Sequence, residues 1–154
     1  MTINELIQKP ENDSNIKLGE AWLQFEKLLI ELRKRELPDS LGVSINKDIE
    51  ELNSTRSSGN ELRKIIKDKQ TNIIKVLEKD HKLVPQNHYR TIWLALGMAA
   101  FGIPLGVAIG TSLGNMAFLG IGMPIGMGIG ILVGTGMDKK AFKEGRQLDL
   151  EIKH

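Results

Sequence analysis

Between residues 91 and 137 the chain has 47 consecutive positions without Asp, Glu, Lys or Arg, in a sequence that is 26% charged. Twelve of its sixteen glycines fall inside that stretch, and they are regularly placed. Gly102-Ile-Pro-Leu-Gly106 continues with Gly110 and Gly114, and Gly122-Met-Pro-Ile-Gly126 continues with Gly130 and Gly134. The pattern G-x-P-x-G-x3-G-x3-G therefore occurs twice, 20 residues apart, and an internal repeat of this kind defines the unit of structure.

That unit reads as a membrane-spanning helix. A span needs about 20 apolar residues rising about 1.5 Å each to cross roughly 30 Å of hydrocarbon, so the stretch is too long for one helix and right for two. Spans are predicted over residues 91–111 and 118–137, with a turn at 112–117. A water-exposed helix does not tolerate this composition. Each interior glycine costs about 1 kcal/mol relative to alanine, so a dozen would cost about 10 kcal/mol, the stability of a whole domain. In lipid the helix is enforced, because an unwound backbone would strand N–H and C=O groups away from water.

Four-residue spacing puts Gly102, Gly106, Gly110 and Gly114 on one face of the first span, and Gly122, Gly126, Gly130 and Gly134 on one face of the second. Missing side chains leave a groove for a neighbouring backbone. The rows serve either to zip the hairpin to itself or to pack it against further copies. Gly120, Gly128 and Gly136 add small residues beyond one row, which favours neighbours. If the chain folds about Gly114, Pro104 lies level with Pro124, about 15 Å from the turn and near mid-membrane. Each proline removes a helical hydrogen bond and frees the carbonyl four residues back, so matched kinks are expected.

Outside the hairpin domain (88–137) the chain divides into a polar tail (1–15), a cytoplasmic helical bundle or coiled coil (16–84) and a basic tail (138–154). Leu18, Trp22, Phe25, Leu29 and Leu32 recur at helical spacing until Pro38 ends the run. A short helix from Ser44 carries Ile45, Ile49 and Leu52, residues 53–60 form a loop, and a third helix over 61–82 carries Leu62, Ile66, Ile73, Val76 and Leu77. Fewer than about 70 residues make a modest core, better stabilised by copies from neighbouring subunits. Val84-Pro85 interrupts the helix before the membrane, and residues 147–153 alternate polar and apolar at a strand period.

Tyr89 and Trp93 sit where interfacial aromatics belong, at the start of the first span. Arg90 precedes that span, and Lys139, Lys140, Lys143 and Arg146 follow the second as a basic collar, while the turn carries no Lys or Arg. This predicts both termini in the cytoplasm, with the collar able to meet anionic headgroups. The first 20 residues hold no signal-peptide core and Thr2 excludes myristoylation, which leaves targeting to the spans.

Chemistry is not predicted. His81, His88 and His154 form no metal pattern, there is no cysteine, and the glycine-rich segments lack the strand, helix and acid of a dinucleotide loop. No enzyme activity or cofactor is expected, and a net charge of +2 gives no reason to expect nucleic acid.

Residues 93–148, with Gly114-Asn-Met-Ala-Phe-Leu-Gly-Ile-Gly122 and the ending Asp138-Lys-Lys-Ala-Phe-Lys-Glu-Gly-Arg-Gln-Leu148, resemble uncharacterised bacterial glycine-zipper membrane proteins. The resemblance implies a two-span architecture in a bacterial inner membrane and no particular activity. The expected fold is an all-α membrane protein: a two-span transmembrane hairpin behind a cytoplasmic helical region. The expected function is a homo-oligomeric pore or channel in the lipid bilayer, with Thr111, Ser112 and Asn115 as a polar rim. The alternatives are a membrane-anchored scaffold that recruits a cytoplasmic protein, or a membrane-permeabilising effector of a bacterial defence or toxin system. Uncharged spans argue against a proton-coupled transporter or voltage sensor.

Overall fold

The structure is a computed structural model that describes residues 2–7 and 16–152. It divides into two compact units, Met1–Lys82 and Leu83–His154. Both are mainly helical, and the expected apolar stripes account for most of the first unit's core.

In the first unit, helices α1 (Ile16–Arg33), α2 (Asp39–Ser54) and α3 (Gly59–His81) form a small bundle in which α3 packs on both others. Leu18, Trp22, Phe25, Leu29 and Leu32 are all buried, as are Ile45, Ile49, Leu52, Leu62, Ile66, Ile73 and Leu77. Val76 departs from the stripe and is exposed. Helix α2 begins five residues before Ser44, because Pro38 supplies a fixed φ just ahead of its first turn and accepts hydrogen bonds from Leu41 and Gly42. It also runs through Asn53 to Ser54, so the loop is shorter than its polar composition suggests.

Residues 2–7 were expected to belong to a loose tail, and here the structure differs. They are held against the bundle, with Ile3 only 5% exposed. Residues 8–15 lie outside the described residues.

Lys69, which interrupts the apolar row of α3, reaches across to α2. Its ammonium donates to Asp48 Oδ1 at 2.8 Å and to Glu51 Oε2. Burial pulls the Lys69 ammonium down, but the hydrogen bonds and charges of Asp48 and Glu51 more than offset it and hold the group above 10.5. Hydrogen bonding and charge from Lys69 hold the Glu51 carboxyl below 4.5. The Lys contribution is thus complete below 10.5 and fades only above it, whereas the Glu contribution is present above 4.5 and fades as the carboxyl takes up its proton.

In the second unit, strand β1 (Val84–Gln86) leads into a long helical arm, His88–Ser112. The arm consists of helix α4 (His88–Gly97), a single π-helical turn (Met98–Gly102) and helix α5 (Ile103–Ser112). A 3₁₀ turn (Met116–Phe118) precedes helix α6 (Leu119–Lys143), and strand β2 (Gln147–Glu151) follows. The alternating segment therefore finds its partner inside the chain. It pairs parallel with β1, Val84 opposite Gln147, and buries Val84, Leu148 and Leu150. Gln86 Nε2 donates to Asp149 Oδ1 at 2.8 Å and Asn87 Nδ2 to Glu151 Oε1 at 2.9 Å, so side chains reinforce a two-stranded ladder that is marginal alone.

The ion-pair geometry gives a test. Lys69→Met, in a Trp93→Phe background that leaves Trp22 to report on the bundle, is expected to lower the stability of the full chain in detergent by about 1 kcal/mol at pH 7. The gap between parent and variant should close as pH falls below 4.5, read by urea titration of Trp22 fluorescence.

Candidate functional site

The two helical arms, His88–Ser112 and Met116–Lys143, have mean hydropathies of 2.1 and 2.0 and are long and apolar enough to cross a membrane. Only 17% of each apolar window is buried within the protein. A core helix of a water-soluble domain would be covered, whereas here Leu96, Phe101, Ile103, Leu105, Ile121 and Ile125 stand exposed along the flanks.

What the arms do bury is glycine. Gly97, Gly102, Gly106 and Gly110 line the inner face of the first arm, and Gly122, Gly126, Gly130 and Gly134 that of the second. Backbone lies directly on backbone. A Cβ on Gly126 would fall 2.6 Å from Gly102 Cα, and one on Gly134 would fall 2.7 Å from the Tyr89 carbonyl oxygen. A Cβ on Gly130 would collide with the Trp93 carbonyl. The rows thus zip the hairpin to itself, the first of the two uses their spacing allows.

The first row is not the one the repeat predicts. Gly114 belongs to the turn, at φ +66° with nothing near a Cβ, and Gly97 takes its place at the other end. Gly97 lies five residues before Gly102, one too many for an α-helical row. The π turn supplies the extra residue and brings Gly97 back onto the face. Pro104 follows that turn, whereas α6 continues as α-helix through Pro124. The two prolines are accommodated differently in the two arms.

Both ends of the hairpin have their own fastenings. At the turn, Asn115 N–H donates to the Gly110 carbonyl at 3.0 Å around left-handed Gly114, which closes α5. The Asn115 side chain accepts from Ala117 N–H at 2.9 Å, and the Thr111 hydroxyl donates back to the Val107 carbonyl at 2.9 Å. Of the three expected rim residues, Asn115 is engaged in turning the chain, Thr111 bonds back along its own helix, and Ser112 is exposed beside them.

At the open end the important side chain is Asp138, absent from the predicted set. Asn87 begins α4 with φ 57° and no side-chain cap. The Asp138 carboxylate caps the helix from across the hairpin instead, accepting from Tyr89 N–H at 3.0 Å and Arg90 N–H at 2.9 Å. A carboxylate there satisfies two first-turn donors and meets the positive end of the helix dipole. A signal existed: Asp138 is the next four-residue step after Gly122, Gly126, Gly130 and Gly134, so it must face the partner helix. The ring of His88 meets that of Tyr89 edge-on, with centroids 5.2 Å apart. Lys139, Lys140 and Lys143 lie on the last turns of α6 and Arg146 just beyond, with Arg146 paired to Glu144. Among the described residues no group of three or more His, Asp or Glu side chains comes together to hold a metal.

The outer faces remain. Gly120, Gly128 and Gly136 have nothing within 4 Å of a Cβ. With exposed Pro124 they form a second small-residue stripe, interrupted by Leu132, on the side of α6 away from the buried row. The first arm matches it with exposed Ala95, Ala99, Ala100, Pro104, Ala108 and Ser112.

Two substitutions separate the inner from the outer face. Gly130→Ala is expected to destabilise the hairpin by about 1–3 kcal/mol through overpacking, whereas Gly128→Ala should leave it unchanged or slightly firmer. Asp138→Asn retains the shape but only one acceptor, which leaves a first-turn donor unsatisfied at a cost of about 1–2 kcal/mol. Thermal unfolding of the full chain in mild detergent, followed by far-UV circular dichroism, reads all three; equal melting of Gly130→Ala and Gly128→Ala would contradict the zipper. Comparison with protein-family models, with curated proteins and with solved structures gave no match.

Proposed function

We propose that the hairpin crosses a lipid bilayer and that copies assemble edge to edge through their outer stripes into a homo-oligomer enclosing a pore. One observation carries the reading: after the inner glycine rows are consumed within the chain, the first arm still presents a row of exposed small residues, and α6 presents Gly120, Gly128 and Gly136 with open space in front of them. In hydrocarbon there is no hydrophobic gain from covering large side chains, and association proceeds where small residues let backbones approach. The outer stripe of the first arm in one copy, facing that of α6 in the next, makes a heterologous contact, the kind that closes into rings. A lumen built from these arms is uncharged and would conduct by wetting. Arg90 before the first arm, the basic residues after the second and the absence of Lys and Arg in the turn support a cytoplasmic location for both ends, in a bacterial inner membrane.

A second reading, a membrane-anchored scaffold, is favoured by the self-sufficiency of the inner zipper, since a hairpin complete in one chain needs no neighbours. The readings part on the outer face. For the pore, the purified protein in detergent is expected to exceed a dimer in mass, to give reproducible conductance in planar bilayers, and to lose both with Gly128→Leu while the hairpin's melting is unchanged. A silent monomer or dimer decides for the anchor.

A further inference from the structure

The eight buried glycines divide the rest of the hairpin into two sides. Gly97 lies against Gly126 and Gly130, and Gly106 against Leu119 and Gly122, so the arms run antiparallel. In a helix the residues just before and just after a contact position stand about 100° to either side of it. Between antiparallel helices, the residues that follow the glycines therefore lie on one side of the hairpin in both arms, and those that precede them lie on the other. The two sides differ in chemistry. Every residue that precedes a buried glycine is Leu, Ile, Val or Phe, from Leu96 and Phe101 in the first arm to Val133 in the second. The residues that follow include Met98, Thr111, Met123, Met127 and Thr135. Three thioethers thus share one side. They also share a level: Met98 and Met127 each follow one of two glycines in backbone contact, Gly97 and Gly126, and Met123 is one helical turn from Met127. Met123 and Met127 are 44% and 36% exposed, so the packing of the hairpin does not consume their side chains.

We propose that Met98, Met123 and Met127 form a thioether site for a soft monovalent metal cation, Cu(I) or Ag(I). Thioether sulfur is an uncharged, polarisable ligand that suits such ions, whereas Mg2+ and Ca2+ require oxygen. With no cysteine in the chain, thioether is the one sulfur ligand it offers. Methionine is unbranched with three rotatable bonds, which lets sulfurs from two helices turn toward one ion. An ion held by neutral ligands keeps its charge and is costly to expose to hydrocarbon. This side of the hairpin is therefore the one turned to the lumen, and the side of Leu, Ile, Val and Phe is the one turned to lipid. The metal site rests on the pairing of the arms within one chain; its place in a lumen rests on the homo-oligomer proposed above.

Full-length protein without a histidine tag, in mild detergent and chloride-free buffer, is titrated with silver nitrate, and under anaerobic conditions with Cu(I) against a chromophoric chelator. One ion per chain is expected, with no binding of Mg2+. Met98→Leu, Met123→Leu and Met127→Leu should each weaken binding about tenfold or more, and together abolish it. Met116→Leu and Met137→Leu, in the 3₁₀ turn and beside Asp138, should leave it unchanged. Leucine for methionine nearly conserves volume, so the hairpin's melting is expected to hold. X-ray absorption of the Cu(I)-loaded parent should show sulfur ligands, a result that no loss of fold in a variant can affect. Binding that survives the triple substitution, or a first shell of nitrogen, overturns the site. Planar-bilayer conductance tests the lumen separately: Ag(I) should block the parent and not the triple variant. Metal bound without block overturns the lumen placement alone. A conducting pore that binds no metal removes the site and leaves the pore standing, and metal bound by a silent monomer or dimer does the reverse.

Discussion

The second unit depends on how closely two helix backbones can approach, and seven glycines set that distance. Gly122, Gly126, Gly130 and Gly134 lie against Gly106, Gly102, Gly97, Trp93, Arg90 and Tyr89, main chain against main chain. Dispersion and Cα–H···O contacts of this kind are individually small and additive along the row. Tolerance is correspondingly small, because a single methyl group would be driven into a carbonyl. The π turn follows from the same constraint. The first arm has one residue more than a four-residue row permits between Gly97 and Gly102, and widening one turn of helix puts both on the contact face.

The fastenings at the open end follow from that contact. With the arms in register, Asp138 arrives opposite the start of α4, where two N–H groups lack a helical acceptor, and β1 arrives beside β2. None of these elements is stable by itself. A three-residue strand, an uncapped helix start and a glycine-rich helix each need the others, which makes the unit cooperative although most of its surface is turned outward.

Much of this was legible in the sequence, and the omissions have physical causes. Periodicity found the bundle stripes and both arms, because an apolar face repeats many times. Gly97 escaped because a strict four-residue rule has no place for a π turn. Gly114 was both counted in the row on spacing and taken as the point of the fold, and only the second reading holds, because the turn needs a residue that adopts positive φ. Asp138 was grouped with the basic tail, when its phase with the glycines placed it inside. The docking of residues 2–7 rests on hydrogen bonds with the Asn46 and Asn53 carboxamides, which no local pattern relates to that segment. The pairing of β1 with β2 joins residues 63 apart, beyond the reach of any local pattern.

The parallel strand pair also fixes an order of events. β1 is made before the first arm and β2 after the second, so the ladder between them cannot form until both arms have been made. Until the ribosome has released residue 151, both arms are present while the clasp and most of its side-chain ties are missing.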